Sequence, residues 1–145
     1  MRTSSIIPAQ AGVASAIKAL KPEIKVYGAE PETAAPAALS FEKGSPQVFK
    51  DWKASFVDGA GGQSVFPRMW ERMKPVVDDY IVVTLEETKK AMRLMAEKAR
   101  VISEGAGALS LAAALTGKAG NGPIVAVVSG GNIDLAKFSE LIASD

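Results

Sequence analysis

Ser129-Gly130-Gly131-Asn132, just past the apolar run Pro123 to Val128, is the stretch of this sequence best suited to chemistry. In open α/β sheets ligands bind at the carboxyl ends of strands. A serine hydroxyl placed there can donate or accept one hydrogen bond, and two glycines leave room for a flat ligand. The other reading is a tight strand-to-helix turn with Ser129 bonded to backbone. Ser103-Glu104-Gly105-Ala106-Gly107-Ala108 opens an alanine-rich segment whose small residues admit a ligand or a second helix. Glu104 would sit favourably at the positive helix end, although capping and close packing explain the same pattern. Asp58-Gly59-Ala60-Gly61-Gly62 could cradle phosphate, but no apolar strand precedes it, and a mobile surface loop accounts for it as well. Glu30, with Glu32 close behind, could hold a hard cation or be two solvated acids on a loop.

Two absences narrow the chemistry. The sequence has no cysteine, which removes disulfides, thiolate catalysis and cysteine-bound zinc or iron–sulfur centres. It has no histidine, which removes Ser-His-Asp triads and histidine-held metals. Lys, Asp, Glu, Ser, Tyr, backbone groups or a borrowed cofactor must carry any reaction. The 17 basic and 16 acidic residues leave a net charge of +1, which offers no footprint for nucleic acid or an anionic membrane. No apolar run approaches the ~20 residues that span a bilayer, so the expected setting is cytoplasmic.

The elements that must position these residues alternate between helix and strand. At 145 residues the chain suits one domain, with aliphatic side chains supplying most of the core because aromatics are only 6%. Val13, Ile17 and Leu20 predict a helix over Ala11 to Leu20, and Ile24 to Tyr27 a short strand leading into Gly28 to Pro31. Thr33 to Phe41 is alanine-rich, with Pro36 as an interruption. Glu42 to Gly62 reads as irregular, Phe66 to Met73 as a short helix, and Asp79 to Thr84 as a second strand. Thr84 with Glu87 predicts a capping box opening an amphipathic helix. Gly105 to Thr116 predicts a buried helix, Pro123 to Val128 a strand buried on both faces, and Leu135 to Ile142 a final helix. The expected class is α/β: a partial parallel sheet with flanking helices, short of neighbours at its edges.

Several motifs together resemble a known family. Gly12-Val13-Ala14-Ser15-Ala16-Ile17-Lys18-Ala19-Leu20-Lys21-Pro22 and Lys25-Val26-Tyr27-Gly28-Ala29-Glu30-Pro31 look like the middle of the pyridoxal-phosphate (PLP) enzymes of the tryptophan-synthase-β type. Asp58 to Gly62, Ala91-Met92-Arg93-Leu94, Glu104-Gly105-Ala106-Gly107 and Ser129 to Leu135 resemble the threonine/serine ammonia-lyase (dehydratase) and serine racemase branch. The match runs from about Ala11 to the C-terminus.

The resemblance implies a lyase that removes water from the β-carbon of threonine or serine and releases ammonia and a 2-oxo acid. PLP is the implied electron sink, with the protein setting geometry and protonation. Ser129 would meet the pyridine nitrogen, with Gly130, Gly131 and Asn132 supporting it. Glu104 and Gly105 would line the pocket near the ring, and Gly59 would belong to a loop on the substrate side. The implied cation site matches Glu30, the carbonyl of Ala34 and, in place of an acidic third ligand, Pro36.

The same resemblance covers only roughly the second half of a family catalytic domain. The family's Schiff-base lysine, in a Ser-x-Lys-x-Arg-Gly type motif, has no counterpart here, so no catalytic residue is assigned. The family's tetraglycine phosphate loop falls on Ser5, Ile6, Ile7 and Pro8, where isoleucines crowd the approach and proline lacks an N–H. The expected organisation is therefore a divergent N-terminal segment, 1–10, followed by one incomplete α/β domain, 11–145. Two functions follow as expectations. One is a C-terminal fragment of a threonine/serine ammonia-lyase, inactive alone and completed by an N-terminal half-enzyme. The other is a self-associating relic of the fold, without cofactor. Either predicts an oligomer or a partner chain.

Overall fold

The computed structural model describes residues 6–143. Among the described residues six α-helices flank a two-stranded parallel sheet: α1 (Ile6–Leu20), β1 (Tyr27–Pro31), α2 (Pro36–Lys43), α3 (Pro67–Met73), β2 (Asp79–Val83), α4 (Leu85–Leu94), α5 (Gly105–Leu115) and α6 (Leu135–Ala143). Among the described residues no helix is long and apolar enough to cross a membrane.

The sheet divides the core in two. Tyr27 pairs with Asp79 and Pro31 with Val83, so side chains alternate between opposite faces along both strands. Ile81 and Val83 join Met92, Met95, Leu109 and Phe138 under α4, α5 and α6. Tyr80 faces the other way, among Ala14, Trp70, Met73 and Val77 from α1, α3 and the turn before β2. Covering a parallel pair on both sides in this way is what its apolar strands require. The α/β class read from the sequence is the class observed.

Several elements differ from the sequence reading. Helix α1 begins at Ile6, five residues before the expected start, and takes in Ile7 and Pro8. Proline in the first turn of a helix is tolerated because the N–H it lacks would have no intrahelical acceptor there. Pro36 likewise starts α2 instead of interrupting it. The first strand lies at Tyr27–Pro31 and not at Ile24 to Tyr27. Its position is set across the sheet, where a side chain on Gly28 would collide with the Tyr80 ring. The capping box forms as expected, with Glu87 N–H on Thr84 Oγ1 at 3.1 Å and Thr84 N–H on Glu87 Oε2 at 2.7 Å. That backbone hydrogen bond to Thr84 is the main reason the Glu87 carboxyl titrates below the ordinary glutamate range.

The largest correction concerns Pro123 to Val128. It forms no strand, and Ile124, Val125, Val127 and Val128 are exposed where burial on both faces was expected. A β-branched run becomes a buried strand only when a neighbouring strand completes its hydrogen bonds, and neither β1 nor β2 reaches it.

Candidate functional site

Three segments distant in sequence converge at the start of α5. The first is the short turn Asp58–Ala60. Its loop, one reading of which was a mobile surface loop, is tied to the rest of the fold at several points. Phe49 N–H meets Gln63 O at 2.8 Å and Val65 N–H meets Gln47 O at 3.1 Å, closing the base. Trp52 donates its indole N–H to Gly61 O at 2.9 Å, and Lys53 N–H ties the loop to Thr33 O at 2.9 Å. Val57, 1% exposed, anchors the turn in the core beneath α5.

The second segment is the helix start itself. Helix α4 widens into a single π turn over Met95–Ala99 and stops at Arg100, whose φ of 58° lies in the left-handed region. A non-glycine residue there carries strain. The Arg100 guanidinium holds the turn by donating to Glu97 O at 2.8 Å. The chain then reverses into Ser103 and Glu104, which lead into the buried first turn of α5, Gly105 to Ala108. Gly105 packs so close to Phe56 that a Cβ would lie 2.8 Å from its ring.

The third segment is the Ser129–Gly131 turn. Glu104 donates its backbone N–H to Gly130 O at 3.1 Å. A side chain on Gly107 would run into the Gly130 backbone, and one on Gly130 would run into the Glu104 carboxylate. A Cβ on Gly59 would come within 3.4 Å of the same carboxylate. Gly59, Glu104, Gly105 and Gly130 are thus brought together, with the Glu104 acid between two glycines at the positive end of a helix. Ser129, Gly131 and Asn132 border this cluster and are exposed.

Two hydroxyls lie near the cluster, and the sequence reading singles out no role for either. Ser110, in a helix read as almost wholly apolar, donates to Val127 O at 2.8 Å and fastens the segment that leads to Ser129. A lone hydroxyl in an alanine-rich helix is the available signal. Ser103 is fully buried, and its hydroxyl has no partner among the described residues.

Glu30 and Ala34 lie elsewhere. Glu30 is buried in β1 and accepts from Ala37 N–H at 3.1 Å and Ala38 N–H at 2.8 Å. It therefore caps α2, whose own N-cap residue, Ala35, has no side chain able to do so. Burial raises its carboxyl to about 7 against the lowering effect of those two hydrogen bonds. Burial also pushes the Tyr80 hydroxyl up, with the nearby Glu30 charge adding to it. The donor set does not suit the implied divalent cation. It offers one carboxylate with both oxygens engaged, and Pro36 stands in the third place. No group of three His, Cys, Asp or Glu residues that could hold a metal occurs among the described residues.

Of the implied phosphate-loop positions, Ser5 lies outside the described residues, and Ile6 to Pro8 form the first turn of α1.

Comparison with known proteins places the sequence and the fold. The L-threonine dehydratase catabolic TdcB of Staphylococcus aureus (strain USA300) is 37% identical over 137 residues, covering 91% of this chain and 39% of that protein. The processed form of threonine deaminase isoform 2 from Solanum lycopersicum superposes with a TM-score of 0.82 at 28% identity, over 92% of this chain and 40% of that one. Maize serine racemase gives 0.79 at 31% identity, over 92% and 42%. The chain thus spans less than half the length of each of these three relatives. The pattern of the pyridoxal-phosphate dependent enzymes, whose cofactor is PLP, matches residues 9–130. With most of its length inside that match, the chain belongs to the pyridoxal-phosphate dependent enzyme family.

Proposed function

We propose that the chain is the C-terminal part of a threonine/serine ammonia-lyase, holding one side of the PLP site and turning over no substrate by itself. The observation that carries this reading is the convergence of Gly59, Glu104 and Gly130 next to the exposed Ser129. Gly130 and Gly131 add no side chains of their own beside the exposed Ser129. Such a place suits the edge of a flat ring, so these residues fit one part of the cofactor.

Ser129 would hold the ring nitrogen by one hydrogen bond, and Gly130 and Gly131 would let the ring approach. When bound, PLP supplies the electron sink for losing the β-hydroxyl of threonine or serine. The Ser129 hydroxyl is a neutral partner, so it leaves the nitrogen uncharged and limits how strongly the ring withdraws electrons. Glu104, fixed by its backbone bond to Gly130, would present its carboxylate to the pocket edge and hold or pass a proton there. The Asp58–Ala60 turn would close the substrate side and exclude water, being anchored by Val57 and by the Trp52 indole.

The covalent lysine belongs to the remainder of the catalytic domain, while the place of the phosphate loop falls on Ser5 to Pro8 of this chain. The proposed partners are therefore an N-terminal half-enzyme or further copies of the chain, in the cytoplasm. A second reading, a self-associating relic without cofactor, is favoured by one observation. Where the family carries consecutive glycines, Ile6, Ile7 and Pro8 form the first turn of a helix. Titration with PLP, comparing wild type with Ser129→Ala after desalting, separates the two. Retained binding that weakens in the variant supports the half-site; none, or binding equal in both, supports the relic.

A further inference from the structure

Asn121 and Asn132 are the sequence's two asparagines, and the fold treats them differently. An asparagine is chemically labile where the backbone nitrogen of the next residue can reach its side-chain amide carbon. That needs a small following residue and a nitrogen that no hydrogen bond ties up. Asn132 meets neither condition. It is followed by Ile133, whose β-branched side chain crowds the approach, and the Ile133 N–H donates to Gly131 O at 3.0 Å.

Asn121 precedes Gly122 in the loop that leaves α5, and both residues are exposed. The loop's backbone bonds end upstream, with Gly117 N–H on Ala114 O at 3.3 Å and Gly120 N–H on Gly117 O at 3.1 Å. Among the described residues no backbone–backbone hydrogen bond involves the Gly122 nitrogen. A Cβ built on Gly122 would meet nothing within 4 Å, so no neighbour packs against that position. Its φ of 134° is one that a glycine can leave or re-enter without steric cost. Asp58-Gly59, the other aspartyl or asparaginyl residue followed by glycine, differs. A Cβ on Gly59 would lie 2.9 Å from the Ala106 side chain, in a turn packed on α5.

We propose that Asn121 is a site of spontaneous covalent modification, in which its side-chain amide becomes a carboxylate by way of a cyclic imide with Gly122. The Gly122 nitrogen gives its proton to solvent and forms a bond to Asn121 Cγ. The Cγ–Nδ2 bond breaks, ammonia leaves and a succinimide ring closes. Water then adds to either ring carbonyl. Opening at the side-chain carbonyl leaves aspartate at position 121. Opening at the backbone carbonyl leaves isoaspartate, whose extra methylene lengthens the main chain. Water is the only co-reactant, and nothing is oxidised or reduced. Either product puts a negative charge into Ala119 to Ile133, a stretch that otherwise carries none, and lowers the net charge of +1 by one unit.

The test incubates the full chain at neutral pH and follows the tryptic peptide Ala119–Lys137, which holds both asparagines. Fragmentation in the mass spectrometer assigns the gain from amide to acid to one position or the other. Isoelectric focusing reads the added charge on the intact chain. Conversion at Asn121 should outpace that at Asn132 by about tenfold or more. In the folded chain it should run within about tenfold of its rate in guanidinium, because the loop does not withhold the nitrogen. Gly122→Ala should slow it by about tenfold or more, and Asn121→Ser should abolish the acidic form, with circular dichroism confirming that both variants fold. Equal conversion at the two asparagines, or conversion at Asn121 only in the denatured chain, would overturn the proposal. Undiminished conversion in Gly122→Ala, or an acidic form that persists in Asn121→Ser, would do the same.

Discussion

The backbone N–H of Glu104 donates to the carbonyl of Gly130 at 3.1 Å, and this one bond joins the start of α5 to the turn that carries Ser129. Residues far apart in sequence become neighbours through it. The contact is possible because Gly107 and Gly130 lack side chains where the two backbones meet.

Gly107→Ala should be costly for that reason. Its methyl would press on the Gly130 backbone inside a fully buried turn. Overpacking of this kind costs about 1–3 kcal/mol. Urea unfolding should show a lower midpoint with an unchanged slope. Gly12→Ala is the matching control, because a Cβ at Gly12 has nothing within 4 Å. Equal stability in Gly107→Ala and wild type would show that the two backbones have room to part.

Glu30 predicts a pH dependence of definite sign. Burial raises its folded-state pKa to about 7 from an ordinary 4.5, so between those values the folded chain binds more protons than the unfolded one. The contribution is fully present below pH 4.5, is lost as pH rises through about 7, and is flat above. The total is about 3 kcal/mol, since each tenfold change in proton affinity is worth roughly 1.4 kcal/mol. Glu87 and Asp78 titrate below their ordinary ranges and act in the opposite sense at lower pH. The measurement is therefore the difference in urea stability between wild type and Glu30→Gln, from pH 4 to 8. That difference should move against wild type as pH rises, and a flat difference would mean that folding leaves the Glu30 pKa where it is in the unfolded chain.

Cations should be without effect at α2. Both Glu30 oxygens already accept from the helix N-terminus, and Pro36 offers no third ligand. Millimolar magnesium or calcium, and equally EDTA, should leave the thermal midpoint where it is. A saturable rise with either ion would identify a cation site that these contacts do not provide.

Local features are legible in the sequence, and long-range ones are not. The Thr84–Glu87 capping box and the buried α5 depend on residues three or four apart, and both form where the pattern puts them. The place of β1 depends on its register against β2 and on Tyr80 crossing Gly28, which no local pattern reports. The run from Pro123 to Val128 departs from its pattern for a related reason, since strand propensity has no outlet without a neighbour. At the candidate site, motif spacing singles out Gly59, Glu104, Gly105 and Gly130 separately. Their convergence depends on a loop pinned by Trp52 and on a helix redirected by a π turn, neither visible in composition.

The most direct test of the central claim is the absorbance of PLP retained by the purified chain after desalting, with Ser129→Ala measured in parallel. The account predicts saturable, retained binding in wild type and weakening by about tenfold in the variant, the loss of one hydrogen bond. No retained cofactor, or identical retention in both proteins, would contradict it and leave a folded relic of the family.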